Sequence, residues 1–488
     1  MTRKLQRWAS LALGLCLLTL VPACSTNPAG RTAFTGLMSS SEEARLGAEE
    51  HPKIVAEFGG EYDDPKVRDY VKSIGQRLVP NTERANQSWT FTVLNSDIAN
   101  AFAIPGGYVY ITTGLMALAN NEAELAGVMG HEMGHVTARH TAERYSQTVA
   151  TSLALNILGV ATRGVGQELA QFGAGAMLAG FSRGQESEAD SLGVRYMAQT
   201  GYDPVAMASF LRTLEGYSNL EALLAGRNEG DRFSLFATHP RTADRVVAAA
   251  EQARKQIPPT EEPRVGEADY LAHLDGLSYG GDKENGFIRN RTFMHPRLRF
   301  KFEVPSGFRL FNSATQVVGI GPDKARVIFD RARNATPAPV GQYLKDTWAP
   351  GLSLSQVESI NINGLDSATA SARVNSSTGP LDLRLVAMRL TPQIIYRFVF
   401  VSPPSLTASL QEDFRRATYS FRMMSPEEAA KAEPLRIRLR LVEPGDTVES
   451  LAKQMPFDDH QVERFLALNG MRAGQPLKVN HLVKIAAD

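Results

Sequence analysis

The chain has 488 residues, 43% of them hydrophobic and 21% charged. That is too long for one ordinary core and typical of a soluble protein of two to four domains. Its 52 Lys and Arg balance its 52 Asp and Glu, which excludes a whole-molecule pull on nucleic acid or anionic lipid, so no nucleic-acid partner is expected.

Arg3, Lys4 and Arg7 form a basic start, and Leu11 to Val21 is apolar but too short to span a bilayer comfortably. The stretch ends at Val21-Pro22-Ala23-Cys24, followed by Ser25 and Thr26. Small residues before a Cys at this place resemble a bacterial lipoprotein signal, with residues 1–24 as signal and lipobox and Cys24 as the acylated first residue. The membrane is then a partner through the N-terminal lipid. The expected location is the periplasm, at the outer membrane, because Ser and not Asp follows Cys24. Cys16 would leave with the signal, so no disulfide is expected even in an oxidising compartment.

Residues 25–38 read as a polar tether, and a first domain spans 39–256. Ser39, Ser40 and Ser41 before Glu42 and Glu43 predict a helix start, and patterning continues to about Gly59. Asp64-Pro65 opens another helix, with Val67, Tyr70, Val71, Ile74 and Leu78 on one face. Thr90–Leu94 and Tyr108–Thr112 alternate like strands, the second after the turn Pro105-Gly106-Gly107. Asn120 and Asn121 can cap a helix running to about Tyr145. The apolar stretch 148–181 is interrupted by Arg163, Gln167, Glu168 and Gln171, which favours a buried or membrane-apposed hairpin over a span. Helical patterning returns around 186–200, 204–217 and 242–256.

Pro258, Pro259 and Pro263 mark a linker over 257–289. Residues 290–424 alternate as strands, at Leu298 to Val304, Leu381 to Val386 and Ile394 to Phe400, and predict an antiparallel sheet in a β-rich accessory domain. A second linker, 425–435, leads to a tail, 436–487, with the order strand, helix, helix, strand.

The chemistry lies in His131-Glu132-Met133-Gly134-His135. The i, i+4 spacing puts both imidazoles on one helix face about one turn apart, which suits a tetrahedral Zn²⁺. Glu132 beside them can act as general base and then acid. A catalytic zinc site needs a third protein ligand. The metzincin extension is excluded, because Ala138 and Thr141 stand where its Gly and His belong, and His140 is out of register and reads as a surface residue. In Glu186-Ser187-Glu188-Ala189-Asp190, Glu186 and Asp190 share a face. One could bind zinc while the other orients a ligand histidine, and spacing leaves open which does which. Glu188 points elsewhere.

These motifs together, with Ser182 to Asp190, Thr238-His239-Pro240 and Asn100-Ala101-Phe102-Ala103 before Pro105-Gly106-Gly107, resemble metallopeptidase family forty-eight, the group of the HtpX, CAAX prenyl and BepA–LoiP-like zinc proteases. The resemblance covers about 35–255. It implies that Glu186 is the third zinc ligand and that Asp190 stands behind a ligand histidine. It also implies that His239 sits near the metal, capping it or helping the transition state, and that Arg245 is an active-site arginine. Tyr108, Val109, Tyr110, Ile111 and Thr112 would form an exposed edge that pairs with an extended protein or peptide substrate. The tail resembles a LysM module, which implies peptidoglycan as a partner. The expected architecture is α+β and multidomain, with a mainly helical gluzincin-type metalloprotease core and small sheet, the β-rich domain and a βααβ module. The expected function is a zinc endopeptidase that degrades misfolded or misassembled envelope proteins. The alternative is a non-proteolytic envelope adaptor that binds cell wall or assembly partners.

Overall fold

The computed structural model describes residues 24–26, 28, 30–147, 180–224, 247, 250, 251, 253–255, 262–333, 338–376 and 379–488. Residues 148–179 of the apolar stretch lie outside them. Among the described residues no helix is long and apolar enough to cross a membrane.

A short hairpin, β1 (Cys24–Thr26) and β2 (Thr32–Phe34), precedes α1 (Ser40–Glu57). Ser39 accepts a bond from the Glu42 amide while Glu42 accepts one from the Ser39 amide, so two orphan donors of the first turn are satisfied together. Asp64 caps α2 (Pro65–Leu78), whose Val67, Val71, Ile74 and Leu78 are buried as the periodicity requires.

The three strands that follow, β3 (Thr90–Leu94), β4 (Ala101–Ile104) and β5 (Tyr108–Thr112), pair in the order β3-β5-β4. Tyr108–Thr112 is therefore the central strand and not an exposed edge. It runs parallel to β3 and antiparallel to β4, with Val109 to Thr112 buried. The cause is the turn before it. Gly106 and Gly107 take φ of 88° and 87°, and a Cβ on Gly107 would lie 2.3 Å from the Ser88 carbonyl oxygen. The turn folds Ala101–Ile104 back onto Tyr108–Thr112. The outer strand against the next long helix is β4.

Helix α3 (Thr113–Leu118) leads to α4 (Glu122–Thr137), which is buried on every face. The helix stops short of Tyr145. Arg139 takes a left-handed φ of 58°, and helical residues resume at 140. The opposite end of α4 is tied by the buried Glu122. Its carboxylate accepts from Arg264 at 2.7 and 3.0 Å, Arg77 at 2.6 Å, Tyr202 at 2.6 Å and Tyr70 at 2.7 Å. Burial alone would raise its pKa, but these bonds and the Arg77 charge hold it below the usual carboxylate range. Glu122→Gln is expected to cost about 1–3 kcal/mol at neutral pH. The folded carboxyl lies below its unfolded value, so its contribution is complete above the unfolded pKa and is lost as pH falls through the folded one. Urea melts of wild type and variant should therefore begin to draw together as pH falls below about 4.

Helices α5 (Arg183–Gln199) and α6 (Val205–Leu224) complete the described helical core. The expected linker 257–289 is not a bare connector. It contains α7 (Glu267–Leu274), whose Tyr270, Leu271 and Leu274 enter the same hydrophobic core, then β6 (Ser278–Tyr279), β7 (Gly281–Asp282) and β8 (Gly286–Arg289). The prolines mark only its beginning.

The β-rich region has a seven-stranded antiparallel sheet in the order 309–312, 316–320, 326–333, 394–402, 379–391, 365–376, 355–362. Phe300, Phe302, Phe329, Phe398 and Phe421 pack its core beside the helix Pro404–Ser420. The tail has the expected order, Leu435–Leu441, Val448–Ala452, Gln461–Leu468 and Leu482–Ala487. It does not hang apart. Its first strand lies between the last one and β6, and its Ile437, Leu451, Phe465 and Ile485 share one core with Met129 and Met133 of α4. Lys484, 1% exposed, donates to the carbonyls of Ala117, Leu118 and Ala119 at 2.7, 3.3 and 2.7 Å.

Candidate metal centre

Helix α4 begins where Asn121 accepts from the Glu124 amide, with Glu122 and Glu124 in the first turn complementing the helix dipole. Helix α5 begins at Ser182, which forms a capping box with Gln185. The two helices approach through small residues. A Cβ on Gly134 would lie 3.1 Å from the Ala189 carbonyl oxygen, and one on Gly193 would lie 2.8 Å from the His131 amide nitrogen. Only glycine allows this backbone approach, and the approach brings Glu186 and Asp190 to the histidines.

His131, His135 and Glu186 are all buried, and one possible ligand atom from each lies within 4.8 Å of the others. The two Nε2 atoms are 2.8 Å apart. Glu186 Oε2 is 3.8 Å from His131 Nε2, and Oε1 is 3.5 Å from His135 Nε2. Ligands around a tetrahedral zinc at about 2.0–2.1 Å stand about 3.3 Å apart. The observed separations bracket that value, so the residues fit the ion. Asp190 Oδ1 lies 3.1 Å from His131 Nδ1, on the far side of the ring. The carboxylate can therefore hold the tautomer that turns Nε2 to a metal. Glu186 thus faces both Nε2 atoms, whereas Asp190 faces His131 Nδ1. Glu132 is 1% exposed and follows His131 in the same helical turn.

Two neighbours escaped the sequence reading. His140 is not a surface residue but wholly buried, with its Nδ1 2.8 Å from His135 Nδ1. Its Nε2 is 3.2 Å from Glu188 Oε2. Continuing the helix past Ala138 put it on the wrong face. The left-handed turn at Arg139 brings it back behind His135. Phe181 stacks on the His135 ring, with centroids 3.9 Å apart and planes 19° from parallel. Its place directly before the capping Ser182 was the only available signal.

Of the remaining expected site residues, Tyr108–Thr112 lie in the sheet centre. Cys24 pairs with Phe34 through the backbone of β1. His239 and Arg245 lie outside the described residues.

Gly193→Ala is expected to push α5 from α4, cost about 1–3 kcal/mol and weaken zinc binding. Urea melts and metal titration would read both effects.

The helix pair brings together a His-His-Glu cluster that could hold a metal ion, and residues 65–253 match the family model for Peptidase family M48. The beta-barrel assembly-enhancing protease of Yersinia pestis is 32% identical over 233 residues, covering 46% of this chain and 46% of that protein. Its namesake in Escherichia coli K12 is 27% identical over 263 residues, 51% of this chain and 52% of that protein. The mitochondrial metalloendopeptidase OMA1 of Schizosaccharomyces pombe is 27% identical over 209 residues, 42% and 59% of the two chains. The chain thus spans about half the length of the curated relatives it matches.

Proposed function

We propose that the chain is a zinc-dependent endopeptidase of the bacterial cell envelope that acts on misfolded or misassembled periplasmic and outer-membrane proteins. The observation that carries this reading is the meeting of His131, His135 and Glu186 in one buried cluster with Glu132 alongside. His131, His135 and Glu186 would hold the zinc, which when bound would supply Lewis-acid chemistry for a scissile carbonyl and a water. Glu132 takes up the proton that water loses and hands it to the leaving amine. Asp190 keeps His131 in its metal-facing tautomer. His239 caps the centre or stabilises the transition state, and Arg245 lies nearby, as the family resemblance implies. Strand β4, the outer strand beside α4, takes the role first given to Tyr108–Thr112 and pairs with an extended substrate backbone.

The names of two relatives, which refer to β-barrel assembly, support the substrate class. Cys24 carries the lipid that holds the chain at the outer membrane. The strand–helix–helix–strand order of the tail supports a LysM-like module, and peptidoglycan is its proposed ligand.

The test is metal analysis and casein cleavage with the purified chain from residue 25. About one zinc per chain is expected, with cleavage that stops on chelation and returns with zinc. A chain without zinc sinks the proposal, and zinc without cleavage under any condition favours the adaptor.

A further inference from the structure

The segment expected to be a loose tether reaches the metal centre. Beyond β2, residues 35–43 bind the left-handed residue that ends α4. Arg139 Nε donates to Glu43 at 2.8 Å, Nη1 donates to Thr35 at 3.2 Å, and Nη2 donates to the Met38 carbonyl. The Leu37 amide donates to Ser146 at 3.3 Å. Just before β2, Arg31 grips two buried carboxylates at once. Its two terminal nitrogens donate to Glu143 at 2.7 and 2.6 Å, and its Nε donates to Glu188 at 2.9 Å. Glu143 belongs to the 140–147 segment and Glu188 to α5. Arg31 therefore clamps together the two elements that carry His140 and its acceptor.

The proton order along this chain is determined by its ends. A His135 that presents Nε2 to zinc must carry its proton on Nδ1, and so donates to His140 Nδ1. His140 then carries its own proton on Nε2 and donates it to Glu188. Glu188 can only accept, and Arg31 can only donate to it. Every link runs the same way, from His135 outward to the carboxylate that Arg31 fixes.

We propose that residues 31–43 form a strap that sets the zinc affinity of the centre, with His140 and Arg31 as positioning residues for His135. This rests on the zinc-enzyme reading above. The strap begins seven residues after Cys24, so the proposed lipid attachment and the retention of the metal share one stretch of chain.

The test is zinc affinity by chelator competition, with unfolding of the metal-free proteins as control and the visible spectrum of the cobalt form as a check on ligand geometry. His140→Phe keeps the ring volume and loses both polar contacts, and is expected to weaken zinc about 10- to 100-fold. His140→Gln offers a carbonyl to His135 and an amide N–H to Glu188, and is expected to restore affinity to within a few-fold of wild type. Arg31→Gln, at a half-exposed residue whose loss should be tolerated by the fold, is expected to weaken zinc about tenfold. Both weakened variants should shift the cobalt spectrum while melting, metal-free, close to wild type.

Wild-type affinity in His140→Phe and Arg31→Gln would overturn the strap alone. So would loss in His140→Gln with retention in His140→Phe, the mark of simple packing. A wild type that binds no zinc overturns the enzyme proposal and the strap together.

Discussion

Glu132→Gln is expected to abolish peptide cleavage while the chain still binds zinc. The amide has nearly the volume of the carboxylate, so the buried wall around it, 1% exposed, need not rearrange. The ligand atoms of His131, His135 and Glu186 and the Asp190 contact behind His131 are untouched. What is lost is a group that can take a proton at neutral pH. Removing a positioned general base costs roughly a hundred- to ten-thousand-fold in rate. Single-turnover cleavage of casein by metal-saturated protein, with zinc content measured on the same sample, reads both quantities. Retained cleavage would remove Glu132 from the mechanism. Lost cleavage with lost zinc would make it a structural support.

The second large effect concerns stability. Lys484→Met is expected to lower the unfolding free energy by about 3–5 kcal/mol. The Lys484 ammonium has three N–H donors and finds three carbonyls at the end of α3, and Glu124 supplies the nearby opposite charge. Burial pushes its pKa down to about 7, against the opposing pull of Glu124. Three well-placed acceptors favour the cation. Burial in turn pushes the Glu124 carboxyl up, against bonds from Ser209 and Asn120 and the charge of Lys484. Methionine would take this donor from the Ala117 and Ala119 carbonyls, while Leu118 keeps the Asn120 side-chain amide at 3.1 Å, and would leave Glu124 without its counter-charge. Urea denaturation should show the loss, and the double variant Lys484→Met, Glu124→Gln should recover part of it. A loss below about 1 kcal/mol would make the contact no better than an exposed ion pair.

What the sequence could disclose follows the range of the interactions involved. His131 and His135 are one helical turn apart, so their joint presentation is local and was readable from spacing. Asn121 and Asp64 cap their helices through bonds two or three residues long, equally local. The choice of Glu186 over Asp190 needed the α4–α5 approach, which depends on what faces Gly134 and Gly193 across fifty residues of chain. His140 was misplaced because nothing in Thr137-Ala138-Arg139 announces a helix break. Arg139 adopts its left-handed turn with its side chain bound by Thr35, Met38 and Glu43, about a hundred residues away. Tyr108–Thr112 looked like an edge because a strand's own pattern does not say how many neighbours it has. The two glycines before it were the available clue that Ala101–Ile104 folds back as its partner. Pro258 and Pro259 suggested a longer linker than the fold contains, although Tyr270, Leu271 and Leu274 already carried helical spacing.

The joining of residues 435–487 to the helical core bears on how the molecule is made. A chain emerging from its N-terminus has α4 hundreds of residues before Leu482–Ala487, the strand that packs against the same core. The Lys484 contacts alone reach back 365 to 367 residues. Contacts this distant in sequence close late, because the entropy of the intervening loop must be overcome first. The growing chain would therefore carry His131, His135 and Glu186 in an unfinished setting until Leu482–Ala487 had been delivered. Maturation would then be timed by the arrival of Leu482–Ala487, and a cut anywhere between residues 224 and 435 would leave two pieces that each lack part of a common interior.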